Sequence, residues 1–160
     1  MAAPYRSLEQ KAESAIREAI IAAATGLPDG DITTSFTSAN KGSGQNHVTI
    51  NSTGGIEDGF NSGNYRLTVE VRVFGKADED DTRDGAGDII ETTPAAFQAL
   101  TGKVMDALYD TALAATLSAA VDDFTVFNSI VRRMLPTSVQ NRQFACGVAL
   151  EFSCCPSDIS

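Results

Sequence analysis

Hydrophobic side chains recur along this chain with two periods, and each change of period marks the edge of an element. Over residues 7–24, Leu8, Ala12, Ile16 and Ile20 fall four apart, flanked by Ala15, Ala19 and Ala23, while Glu9, Lys11, Glu13, Arg17 and Glu18 are expected to face away. That spacing gathers the apolar groups into one stripe along a helix. Ser7 with Gln10 three residues on makes a capping box at its start, and Gly26 followed by Pro28 ends it. The segment has no cationic excess, so it is expected to lie on a protein core rather than on an anionic membrane.

Further along, the period drops to two. Tyr65, Leu67, Val69, Val71 and Val73 alternate with Arg66, Thr68, Glu70 and Arg72, which predicts a strand over residues 65–74 with one apolar and one charged face. Residues 143–154 repeat the pattern, with Phe144, Cys146, Val148, Leu150 and Phe152 inward and Ala145, Gly147, Ala149, Glu151 and Ser153 outward. Shorter β-prone runs occupy residues 31–37 (Ile32, Phe36), 47–51 (Val48, Ile50) and 124–131. Residues 136–142 are expected to be the hairpin loop that joins the last two strands.

Between these runs a helical period returns. Thr93 supplies a cap and Pro94 a first helical position, followed by the stripe Phe97, Leu100, Val104 and Leu108. From Asp110 an alanine-rich turn or helix carries Leu113 and Leu117 towards Val121. The order is helix, short strands, long strand, helices, then a hairpin. It predicts an α+β fold, with helices packed on one face of a largely antiparallel or mixed β-sheet.

The chain's 160 residues fit a single domain. A compact chain of this size buries roughly 70% of its extended surface, enough for a core without covalent staples. Two segments interrupt the periodic pattern: a Gly/Ser/Asn-rich hairpin or loop insertion at about 38–64, and an acidic loop at about 76–92. The formal net charge is −9, from 12 Lys and Arg against 21 Asp and Glu. Residues 57–123 hold fourteen of the acids and five of the bases, so the acidity belongs to the middle of the chain. Such a balance argues against gripping nucleic acid through its phosphates, which needs clustered cations. With no apolar run near the ~20 residues of a membrane span and no secretory leader pattern, the chain is expected to be soluble and made in a cytoplasm.

Candidate chemistry is sparse. Cys146, Cys154 and Cys155 cluster near the C-terminus. On one strand, Cys146 and Cys154 stand about 26 Å apart, beyond disulfide reach, so all three read as small apolar residues. His47 is the only histidine and reads as a surface side chain rather than a general base. The sharpest metal pattern is residues 80–91. There Asp80, Asp84, Asp88 and Glu91 fall at positions one, five, nine and twelve of a calcium loop, with Gly85 at six. Thr82 at position three and Gly87 at position eight depart from it, and the loop follows a strand rather than a helix. A solvated acidic loop is the plainer reading, leaving no cofactor expected and a calcium-binding module as an alternative of a different class. Gly102-Lys103 runs into Val104, not Ser or Thr, so it is no phosphate loop, and no G-x-S-x-G elbow exists. With no converging nucleophile, base and metal set, the chain does not read as an enzyme.

The order and spacing of these elements resemble the tail terminator (tail completion) proteins of long-tailed bacteriophages. The similarity covers roughly residues 65–154. It rests on the strand at 65–74 ending in a charged loop, the helix from Ala96 to Leu108, the run from Leu113 to Leu117, the strand Phe124-Thr125-Val126-Phe127 and the last alternating strand. The N-terminal helix suits the family too. The resemblance implies a structural virion protein, assembled in the host cytoplasm. It would form a ring, commonly of six copies, that caps the tail tube, ends its polymerisation and meets the head connector or stopper protein. DNA would pass through without specific binding. Another head–tail connector, neck or head-completion protein is the nearest alternative. In such a ring Arg66, Glu70 and Arg72 are candidates for the subunit interface. Asp78, Glu79, Asp80, Asp81, Asp84 and Asp88 are candidates for a lumen-facing loop that does not hold passing phosphates.

Overall fold

The computed structural model of the chain describes residues 7–36, 46–57, 59, 62–76, 95–140 and 143–156. In chain order these form helix α1 (Leu8–Ala22), a 3-10 turn (Asp29–Asp31), strands β1 (Ile32–Thr34), β2 (His47–Glu57) and β3 (Tyr65–Lys76), helices α2 (Ala95–Leu108) and α3 (Leu113–Ala120), and strands β4 (Thr125–Gln140) and β5 (Gln143–Cys155). The strands make one sheet in the order β1-β2-β3-β5-β4. Only β1 and β2 run parallel; the other three pairings are antiparallel. The fold is therefore α+β with a mixed sheet, as the alternating periods predicted.

Local chemistry fixes the first helix. Gln10 N–H donates to Ser7 Oγ at 3.2 Å, and Ser7 N–H donates to Gln10 Oε1 at 3.1 Å, closing the capping box. The stripe Ala12, Ala15, Ile16, Ala19 and Ile20 is buried. Arg17, on the helix flank, donates to the carbonyls of Ile32 and Asp29 at 2.8 Å each and so holds β1 in place. Glu13, expected to face away, is instead the one fully buried charged side chain among the described residues. Its carboxylate accepts from the Ser35 backbone N–H and hydroxyl at 2.6 to 2.8 Å. A buried charge is tolerable only with such partners.

The core lies between the helices and one face of the sheet. Val69, Val71 and Val73 of β3 and Val148, Leu150 and Phe152 of β5 meet Ile16, Ile20, Leu100, Val104, Leu108, Leu113 and Leu117. At one end of the sheet two glycines admit close neighbours. A Cβ on Gly75 would lie 2.3 Å from the Phe97 ring, and one on Gly147 would lie 2.3 Å from the Val71 carbonyl oxygen. Phe97 thus sits directly over β3, where its ring meets Phe144 at 5.6 Å.

Tyr65 shares the face of Leu67 and Val69, opposite Cys154, and is 37% exposed only because it begins β3. Two strand expectations are corrected. β2 does not stop at residue 51 but runs to Glu57, through a register shift between Ser52 and Gly55, and forms an antiparallel hairpin with β3. Sequence pattern hid this because glycines and a bulge break the alternation. Residues 136–140, expected in a loop, continue β4. Pro136 falls in a register shift between Leu135 and Ser138, and β4 is an edge strand, the one sheet position that tolerates a missing N–H. The cap expected from Thr93 and Pro94 lies outside the described residues, as do residues 37–45 of the insertion.

The two glycine contacts differ in what can yield, which sets a test. Gly75→Ala presses on a side chain, so it should lower unfolding free energy by about 1–3 kcal/mol, with part of the loss recovered when Phe97→Leu is added. Gly147→Ala presses on backbone, and no side-chain change should recover it. Equal stability of Gly75→Ala and wild type in denaturant titrations would refute this account of the close approach.

Candidate functional site

Among the described residues, the helices pack on one face of the sheet and none lies on the other, the open face, although Ala149 on it is buried by its neighbours. By register, the open face carries Arg66, Thr68, Glu70 and Arg72 from β3, Ala149, Glu151 and Ser153 from β5, and Val131 and Arg133 from β4. The three residues proposed for a subunit interface therefore do share this face. Their charges find partners within the chain: Arg66 Nε donates to Glu151 Oε1, and Arg72 Nη2 donates to Glu70 Oε2 at 3.2 Å. Both pairs are half-exposed. Such pairs contribute about 0–1 kcal/mol each, and a face held this way stays wetted rather than sticky.

The apolar exposure lies at the margins. Ile56 at one margin is 72% exposed; Phe127, Val131 and Met134 on β4 are 42%, 47% and 79% exposed. Ile56 pairs with Arg66 and Val131 with Glu151, so both project onto the open face, at opposite margins of the sheet. Sequence reading missed these residues. The signal was present in adjacent apolar pairs, Ile130-Val131 and Met134-Leu135, where one partner of each pair must leave the core.

β4 is also the longest free edge. Among the described residues it pairs with β5 alone. Bulges interrupt it between Val126 and Ile130 and between Leu135 and Ser138, leaving residues 130–135 in regular register. Arg132 is committed inside the subunit: its guanidinium donates to the carbonyls of Leu108 at 2.6 Å and Asp110 at 3.1 Å and lies 5.5 Å from the Tyr109 ring centre. A cation at the carbonyl end of α2 complements the helix dipole there. Behind β4 an apolar groove of about 570 Å³ opens between α2 and the sheet, walled by Phe97, Thr101, Met105, Tyr109, Met134 and Cys146.

Polar groups with catalytic potential are few here. His47, expected at the surface, is partly exposed on the open face, where it stacks on Phe74 at 4.7 Å with Nδ1 buried and without a hydrogen-bond partner. Burial lowers its pKa, and Asp31 offsets part of that shift. Cys146, Cys154 and Cys155 are free thiols. Burial, with Cys155 adjacent, pushes the Cys154 thiol up to about 12, so it stays protonated and inert at neutral pH. Among the described residues no three His, Cys, Asp or Glu side chains converge as a metal site would need, and no helix is long and apolar enough to cross a membrane. The calcium candidates Asp80, Asp84, Asp88 and Glu91 and the lumen candidates Asp78, Glu79 and Asp81 lie outside the described residues.

Compared with known proteins, the chain matches no family model, and no curated protein matches it in sequence.

The stacked histidine sets a pH dependence. A lowered pKa in the folded state means that folding disfavours the charged ring. The stabilising contribution is full above the unfolded value of about 6.5 and declines as pH falls below it. Thermal unfolding should therefore show the melting temperature dropping more between about pH 7 and 5.5 in the wild type than in His47→Phe, which keeps the stack and removes the titration. Parallel pH profiles for the two proteins would sink this reading.

Proposed function

We propose that this chain is a structural ring subunit of a bacteriophage tail, a tail terminator that caps the tail tube and meets the head connector. The observation that carries the reading is the long free edge of β4, with Phe127, Val131 and Met134 exposed along it and an apolar groove behind it. Between its two bulges β4 keeps residues 130–135 in regular register with Val131 and Met134 exposed, and an edge of that kind can pair with another chain. The element order supports the same reading: a helix, a long strand, two helices and a terminal antiparallel pair follow one another as in the family the sequence resembles. The net charge of −9 suits a passage that lets DNA slide, because every cation placed against a phosphate adds salt-dependent affinity and slows transit.

A ring requires a heterologous contact, in which two different patches of each copy meet and the rotation closes. Mass photometry and negative-stain imaging of the purified protein across a concentration series test this directly. The expected result is one discrete multimer with a central opening, populated at the expense of monomer as concentration rises. A mass that stays at one chain, or that grows without limit, would overturn the proposal.

A further inference from the structure

The two margins of the sheet differ in a way that makes them fit each other. At one margin the free stretch of β2, residues 51–57, carries Glu57 and no lysine or arginine, while Asp29 and Asp31 lie towards the other end of that margin, beside His47 and Val48, where Arg17 reaches over from α1. At the opposite margin, β4 carries Arg132 and Arg133 and no acid, in a chain whose total is −9. Arg132 is held on the end of α2, whereas Arg133 is exposed, on the open face beside Ala149. Each margin also places one well-exposed β-branched side chain on that same open face, Ile56 at 72% and Val131 at 47%. Among the described residues β1 pairs with β2 only at positions 48–50, so the backbone edge at residues 51–57 has no strand beside it.

Resting on the ring reading above, we infer that these margins are the two halves of one joint: β4 of one copy lies against residues 51–57 of the next copy. The partner is a second copy of this chain, identified by the exposed β-branched side chain that each free edge sets on the same face, Ile56 and Val131, and by the opposite charge of Glu57 and Arg133 near them. Joined this way, the open faces of neighbouring copies become continuous. Val131 of one copy and Ile56 of the next then stand as cross-strand neighbours, with Cβ atoms at about 4.5–5.5 Å when directly opposite. Pairing β4 with β4 about a two-fold axis instead would bring two cationic strands together, which like charges disfavour. The joint is therefore head-to-tail, the class of contact that closes rings.

Cysteine cross-linking tests the assignment, because directly opposed strand positions lie near disulfide geometry. Full-length Val131→Cys and Ile56→Cys proteins are mixed, mildly oxidised and digested, and linked peptides are identified by mass spectrometry, with wild type as the control for the native thiols. Both positions are exposed, so the variants should fold as the wild type does. The expected result is a link between residue 131 and residue 56 in the mixture, and none between two Val131→Cys copies. In the wild type, hydrogen exchange on assembly should slow at residues 130–135 and 51–57 together. Rings that form without this link or this protection would overturn the joint while leaving the ring intact. A link between two Val131→Cys copies would replace it with a two-fold contact. A protein that stays monomeric would remove both proposals.

Discussion

Burial of the β3 valines under α1 and α2 is the constraint on which the rest of this molecule depends. Val69, Val71 and Val73 are fully buried, and each alternates with a residue that must therefore face the other way. A strand has two faces and the chain spends its helices on one of them. Once that face is dry, register forces Arg66, Thr68, Glu70 and Arg72 onto the open side, and a slip by one residue would reverse both sets. The same logic passes through hydrogen bonding to β5, where Val148, Leu150 and Phe152 go inward and Ala149, Glu151 and Ser153 outward. Burying each such aliphatic or aromatic group contributes about 1.5–3 kcal/mol, far more than either surface ion pair. The polar face is thus a consequence of the apolar one.

How much of this was legible in the sequence follows from which residues have only one place to go. The α1 stripe and its capping box were readable because helix period, cap and stop agree at residues 7–28. The alternation in β3 and most of β5 was readable for the same reason. Edges were not. The β-prone pattern ends at residue 131 and Pro136 reads as the start of a loop, because proline ordinarily ends a strand; yet an edge strand with a bulge has an N–H to spare there. β2 was cut short because Gly54 and Gly55 lack side chains to show a period. The stack that buries Nδ1 of His47 is not legible, because nothing in its neighbourhood of sequence reveals Phe74, its cross-strand partner across the β2–β3 ladder. Each miss is a tertiary fact that local pattern does not encode.

The candidate site shows the same division. Arg66, Glu70 and Arg72 were found by their alternation, but their partners lie on other strands or on the same face, and these decide what the residues can do. Arg66 meets Glu151, 85 positions away in sequence. Once paired and half-hydrated, these charges add little cohesion to a contact with another copy. Ile56, Val131 and Met134 carry the apolar surface instead: Ile56 lies in the Gly/Ser/Asn-rich stretch, Val131 at the end of a short β-prone run and Met134 beyond it, so no periodic pattern marks any of the three.

Edges also explain why the sheet does not simply aggregate. β4 is blunted at both ends, by a bulge after Val126 and by Pro136 within a second bulge, so its regular edge narrows to residues 130–135. The β1–β2 margin is blunted differently: β1 spans three residues and a bulge kinks β2 between Ser52 and Gly55. Each device shortens the strand available for pairing and twists what remains. Short, twisted edges disfavour a flat, endless stack of copies. Under the proposed joint each added copy would turn by the same amount, and a ring would close only where that rotation divides a full turn without a rise along the axis; any other rotation gives a helical filament. The bulges that limit promiscuous pairing at these edges thus bear directly on how far such a joint would turn.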